Sequence, residues 1–155
     1  MTLVLLLALL QGGQRGERPL PVFQVVTAEG AAVSSAQLTS EPQYLIVYVN
    51  AASATSRKLL DALGEWATPE LARRTVMVIG GTPQEAQRFI ESGIPESLQG
   101  MTRYFDAGRS AWQALSLRGS PVLIGVRDGK TEWSLSGVLG DPDALKSVVL
   151  TWVNF

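Results

Sequence analysis

Neither cysteine nor histidine occurs among the 155 residues of this chain. Without cysteine the chain can neither exchange a disulfide nor use one for its own stability, so the fold rests on its core alone. Without histidine it contains no Ser-His or Cys-His catalytic arrangement. The two absences together remove the usual ligand sets for zinc, copper, haem and iron–sulfur clusters. A carboxylate-only calcium or magnesium site is still open, but Asp and Glu are scattered and form no Asp-rich loop. No metal or other cofactor is therefore expected. Charge is also scarce: charged residues make up 17%, the net charge is −1, and basic residues pair only at Arg57-Lys58 and Arg73-Arg74. That leaves no electrostatic footprint for nucleic acid.

Long apolar runs are missing too. Residues 3–10 (LVLLLALL) are continuously apolar, yet a helix that crosses a bilayer needs ~20 such residues. The run matches the apolar region of a secretory signal peptide, although no Lys or Arg precedes it and no Ala-x-Ala cleavage site follows. The expected division is a signal peptide or short hydrophobic segment over 1–13, an exposed linker over 14–21 and one domain over 22–155. The alternatives at the N-terminus are a buried helix or strand and, less favoured, an uncleaved membrane anchor. The linker assignment rests on Pro19 and Pro21, which disfavour regular pairing. At this length one domain with a substantial core is expected.

What the chain does contain is alternation. Residues 22–26 read as a strand, Glu29-Gly30 as a turn before a short strand near Ala32-Val33, and 35–38 as a helical turn. Residues 44–49 (YLIVYV) are almost continuously apolar, as in a strand covered on both faces. Leu59, Leu60, Leu63 and Trp66 recur at helical spacing and predict a helix over 53–66 with that face buried. Thr68-Pro69 and Thr82-Pro83-Gln84-Glu85 carry cap-plus-proline starts, the second with the Glu of a capping box. Between them 76–79 is a buried strand, and Gly93 ends the helix that Thr82 opens. Gly80-Gly81 lacks the company of a phosphate loop and reads as a strand-to-helix turn. Residues 102–105 predict a strand and 110–115 a helix. Asp128-Gly129 between two apolar runs predicts a hairpin joining 122–126 to 131–135. Gly137 suits a bulge or close packing, and Asp141-Pro142 opens a closing helix through 153. Strands alternating with helices, then a hairpin and a last helix, argue for an α/β sandwich around a mixed sheet.

Two segments resemble a known family. Residues 44–60 (YLIVYVNAASATSRKLL) resemble the strand–turn–helix unit of the thioredoxin-like superfamily, in particular its periplasmic and membrane-anchored thiol-disulfide oxidoreductases. Residues 117–137 (LRGSPVLIGVRDGKTEWSLSG) resemble that family's cis-proline, strand, Asp-Gly turn and strand, with Pro121 at the cis-proline position after Ser120. The resemblance implies a three-layer thioredoxin-like sandwich with a mixed central sheet and an N-terminal hairpin extension. It also places Ser53-Ala54-Thr55-Ser56 where a Cys-x-x-Cys pair would lie, so that Ser53 and Ser56 hold the two former sulfur positions. A peroxiredoxin-like variant of the fold has a similar hydroxyl spacing, but its attacking residue would here be serine. In the family the helix N-terminus stabilises a thiolate; a serine hydroxyl is far less acidic and forms no disulfide.

Two functions follow as expectations. The first is a redox-inactive, exported binding or structural module. In the family an extended partner segment pairs with backbone beside the cis-proline, and the corresponding groove here would be lined by Ala52, Ser53, Ala54, Thr55, Ser120 and Pro121. Backbone pairing does not need sulfur. The second is an enzyme that uses non-thiol groups on the same scaffold, with Ser53, Ser56, Tyr48 or Thr55 as hydroxyls and Asp106 or Lys58 as proton carriers. Lys58 and Arg57 read first as solvated on a helix face. The expected partner is an extended protein segment rather than nucleic acid; a membrane enters only through an uncleaved anchor.

Overall fold

A computed structural model describes residues 14–136 and 140–154. The signal-peptide assignment over 1–13 and the expectation for Gly137 lie outside those residues. The strands are β1 (Gln14–Pro19), β2 (Gln24–Val26), β3 (Ala32–Ser34), β4 (Gln43–Asn50), β5 (Thr75–Gly80), β6 (Thr102–Asp106), β7 (Val122–Arg127) and β8 (Lys130–Ser136). The helices are α1 (Ala54–Trp66), α2 (Pro69–Arg73), α3 (Pro83–Glu91), α4 (Ser110–Ala114) and α5 (Pro142–Val153), with single 3₁₀ turns at Ser35–Gln37 and Glu96–Leu98. All eight strands form one sheet in the order β1-β8-β7-β4-β5-β6-β2-β3.

The apolar run of β4 places it near the middle. It pairs parallel with β5 and antiparallel with β7. Its alternate residues divide between two cores. Leu45, Val47 and Val49 face the core shared with α1, α2, α3 and α5, while Tyr44, Ile46 and Tyr48 face the other, which contains Ala111 of α4 and is edged by Trp112. The β2–β3 hairpin extends the sheet beyond β6 through the pairing of Val26 with Phe105. At the other side the Asp128-Gly129 turn has positive φ at both residues, 50° and 75°, as a two-residue hairpin turn requires. It joins β7 to β8.

Capping sets the helix starts. Ser53, Thr68, Thr82 and Asp141 each accept a backbone N–H of the helix they precede, and Thr82 with Glu85 forms a full capping box. Trp66 packs half-buried against the core.

The expected linker is a strand instead. Gln14–Pro19 pairs antiparallel with β8, placing Arg15 opposite Trp133 and Pro19 opposite Lys130, with a register shift between Arg15 and Arg18. Pro19 does not prevent this because β1 is an edge strand, where a missing donor can face outward. The sheet therefore begins before residue 22.

Candidate functional site

The turn between β4 and α1 is held by its own small polar groups. Asn50 Oδ1 accepts from Ala52 N (2.9 Å), and the Asn50 carbonyl accepts from Ser53 N (2.9 Å). Ser53 is the N-cap of α1: its Oγ accepts from Ser56 N at 3.2 Å. Ser56 lies three residues on, is completely buried, and accepts from Asn50 N through Oγ at 3.1 Å. The hydroxyl oxygens of Ser53 and Ser56 therefore both close backbone onto backbone. Around them Ala52, Ala54 and Thr55 are exposed and Ser53 is half-buried.

The Ser120–Pro121 peptide bond is cis. Pro121 is buried and Ser120 half-buried. Ser120 also lines a surface cavity that opens towards β1, β8 and the connection from α4 to β7, and none of residues 52–55 lines that cavity.

The hydroxyls named for non-thiol chemistry are dispersed. Tyr48 points into the second core and donates to Asp106 Oδ2 at 2.7 Å. Asp106, 1% exposed, also accepts Ala111 N (2.9 Å) and Trp112 N (3.0 Å), so its carboxylate ties β4 to the first turn of α4. Burial first, and then this hydrogen bond to a carboxylate, push the Tyr48 hydroxyl far above the ordinary tyrosine range. Tyr48 and Asp106 thus meet each other, but as a buried pair. Lys58 is exposed on α1.

Arg57 departs from the solvated position expected of it. Its guanidinium donates to the Phe89 carbonyl at 2.7 Å, and to the Gly93 carbonyl and Ser92 Oγ, while lying 4.2 Å from the centre of the Phe89 ring. It fastens α1 to the C-terminal end of α3, where unpaired carbonyls favour a cation. Gly80 likewise has a packing role: a Cβ there would meet Tyr48 Oη at 2.5 Å. Sequence spacing does not reveal either contact, since the partners lie more than thirty residues away.

No protein-family model matches the chain. No curated protein matches it either. Solved structures do. The structure of MTB DsbF, in mixed oxidized and reduced forms, aligns with a TM-score of 0.66 at 18% identity, over 84% of this chain and 94% of that one. A secreted Mycobacterium tuberculosis disulfide oxidoreductase homologous to E. coli DsbE aligns at 0.64 and 18% identity, over 83% and 95%. The thioredoxin domain of a thiol-disulfide oxidoreductase from Bacteroides vulgatus aligns at 0.65 and 19% identity, over 91% and 99%. The fold is thioredoxin-like, and its neighbours are thiol-disulfide oxidoreductases. This chain has no cysteine with which to perform their chemistry.

Proposed function

We propose that the protein is a redox-inactive thioredoxin-like module, exported from the cytoplasm, that holds an extended segment of a partner protein along the turn at Ala52–Thr55 and the loop at Ser120-Pro121. One observation carries the reading: the turn is exposed at Ala52, Ala54 and Thr55 while the oxygens of Ser53 and Ser56 already serve backbone groups. An exposed turn with no activated nucleophile suits contact rather than catalysis. A backbone-paired segment needs edges and N–H groups, not sulfur. Export is supported by the apolar run at residues 3–10 and by a fold neighbour described as secreted. Among the described residues no helix is long and apolar enough to cross a membrane.

The test is a titration of ¹⁵N-labelled protein with reduced, alkylated insulin B chain, an extended segment without free thiols. The expected result is saturable shift changes at Ala52–Thr55 and Ser120. Saturable changes confined to other surfaces, or none at all, would overturn the assignment of the groove.

A further inference from the structure

The cavity beside Ser120 has a composition of its own. It encloses about 780 Å³, within the ~300–1,000 Å³ common for small-molecule sites. Its floor is the side of β7 that carries Val122 and Ile124, and Leu115 and Leu117 after α4 line it as well. On β8, Ser136 and Ser134 stand opposite Val122 and Ile124. Opposed residues of an antiparallel pair project to the same face, so this face changes from apolar to hydroxyl-bearing as it passes from β7 to β8.

Its charge is one-sided. Among the described residues, Arg18 from β1 and Arg118 from the α4–β7 connection both line it, and no Asp or Glu does. Among the described residues neither guanidinium has an ion-pair partner. By contrast Arg57 holds three acceptors, Arg73 pairs with Glu41 and Glu70, and Arg127 with Glu132. Two cations over a partly apolar concavity that lacks any carboxylate call for an anion with an apolar body. A carboxylate is the matching head, since a single guanidinium fork takes it bidentately. A phosphate would call for more converging donors, such as a glycine-rich run of backbone N–H groups, and no phosphate-loop motif is present here.

We propose that this cavity is a binding site for an amphipathic monocarboxylate, its apolar tail against Leu115, Leu117, Val122 and Ile124 and its carboxylate at Arg18 and Arg118. The site shares Ser120 with the proposed peptide groove but includes none of residues 52–55, and it stands whether or not that turn holds a peptide. Both arginines are exposed, so replacing them leaves the core intact.

Calorimetric titration with decanoate tests it, alongside 1-decanol and inorganic phosphate. The expected result is one-to-one decanoate binding with a Kd below ~1 mM, and weaker binding of both controls. In R18A/R118A, decanoate affinity should fall about tenfold or more with an unchanged melting curve. No saturable decanoate binding, decanol binding as tight as decanoate, phosphate binding as tight as decanoate, or undiminished decanoate affinity in R18A/R118A would each overturn the proposal.

Discussion

The two faces of the sheet are closed by different means. One is covered by α1, α2, α3 and α5, whose Leu59, Leu60, Leu63, Leu71, Phe89, Val148, Val149 and Trp152 form a continuous core with Leu45, Val47, Met77 and Leu123. The other is covered by the short α4, a 3₁₀ turn and irregular chain around Phe23 and Leu38, and is pinned by hydrogen bonds to Asp106, Leu38 O and Ser35. Long amphipathic helices seal a sheet mainly with apolar side chains. Where they are missing, buried polar bonds such as that of Tyr48 to Asp106 carry more of the closure, and at β7 and β8 the sheet leaves a cavity. In this molecule the larger apolar core lies on the first face, and the cavity opens on the second.

The comparison is sharpest at Trp152. This residue is 1% exposed, donates from Nε1 to the Tyr44 carbonyl at 2.8 Å and meets Trp133 edge-on at 5.5 Å. Trp152→Ala should destabilise by ~3–5 kcal/mol in denaturant unfolding. Ile124→Ala on the opposite face should cost ~2 kcal/mol, the low end for such truncations, because the adjoining cavity leaves fewer neighbours to lose. Equal losses would show that the second face packs as tightly as the first.

Removing the polar pin comes next. Asp106→Ala leaves Tyr48 Oη and two backbone N–H groups without their acceptor, a loss of ~3 kcal/mol. Tyr48→Phe keeps the carboxylate on both N–H groups and should cost only ~1 kcal/mol. If the two variants lose the same amount, the bond between β4 and β6 would be the whole contribution and the tie to α4 would contribute nothing.

A smaller effect separates the two serines of the turn. Ser56→Ala strands the half-buried Asn50 N–H at ~1–3 kcal/mol, whereas Ser53→Ala removes a helix cap at ~1 kcal/mol. Unchanged melting of Ser56→Ala would show that its hydroxyl is not the backbone's acceptor.

The tyrosines test the second face by pH. The hydroxyls of all three are pushed up, chiefly by burial, Tyr44 to about 12, and Tyr48 and Tyr104 also upward. A native value above the unfolded one, ~10, means that this stability is present below that pH and lost as pH climbs past it. Alkaline titration at the tyrosinate band should therefore show Tyr44 and Tyr48 ionising only well above the ordinary value, together with unfolding. A native step near pH ~10 from Tyr44 or Tyr48 would mean that it is solvated.

Much of this was legible from residues close together in sequence. The apolar run of β4, the spacing of Leu59, Leu60 and Leu63, the caps at Thr68 and Thr82 and the Asp128-Gly129 turn are local signals, and each produced the element expected of it. β1 was not legible, because its residues QRGERP carry no apolar alternation; pairing with β8 at a sheet edge makes it a strand. Nor were the pairing of Tyr48 with Asp106 and the clasp of Arg57 on α3, since each joins residues brought together only by the folded chain. At the candidate site a helix start at Ser53 was readable; that Ser53 caps a helix beginning at Ala54 was not. The hydrogen bond from Asn50 N to Ser56 was not, because a buried serine accepting main chain looks like any other serine in sequence.

The central proposal is that Ser53 and Ser56 of this thioredoxin-like fold hold the positions of a Cys-x-x-Cys pair, with oxygen in place of sulfur. Ser53 Oγ already receives the Ser56 N–H at the start of α1, and a thiolate at that position would receive the same donor. The direct measurement is thiol titration and insulin disulfide reduction on the S53C/S56C variant beside the unaltered protein. The account predicts no turnover by the unaltered chain. For the variant it predicts measurable reduction, with a first thiol pKa below the ordinary ~8.5. Two independent thiols of ordinary pKa in a folded variant that does not reduce insulin would contradict it, as would any turnover by the cysteine-free chain above that of a heat-denatured control.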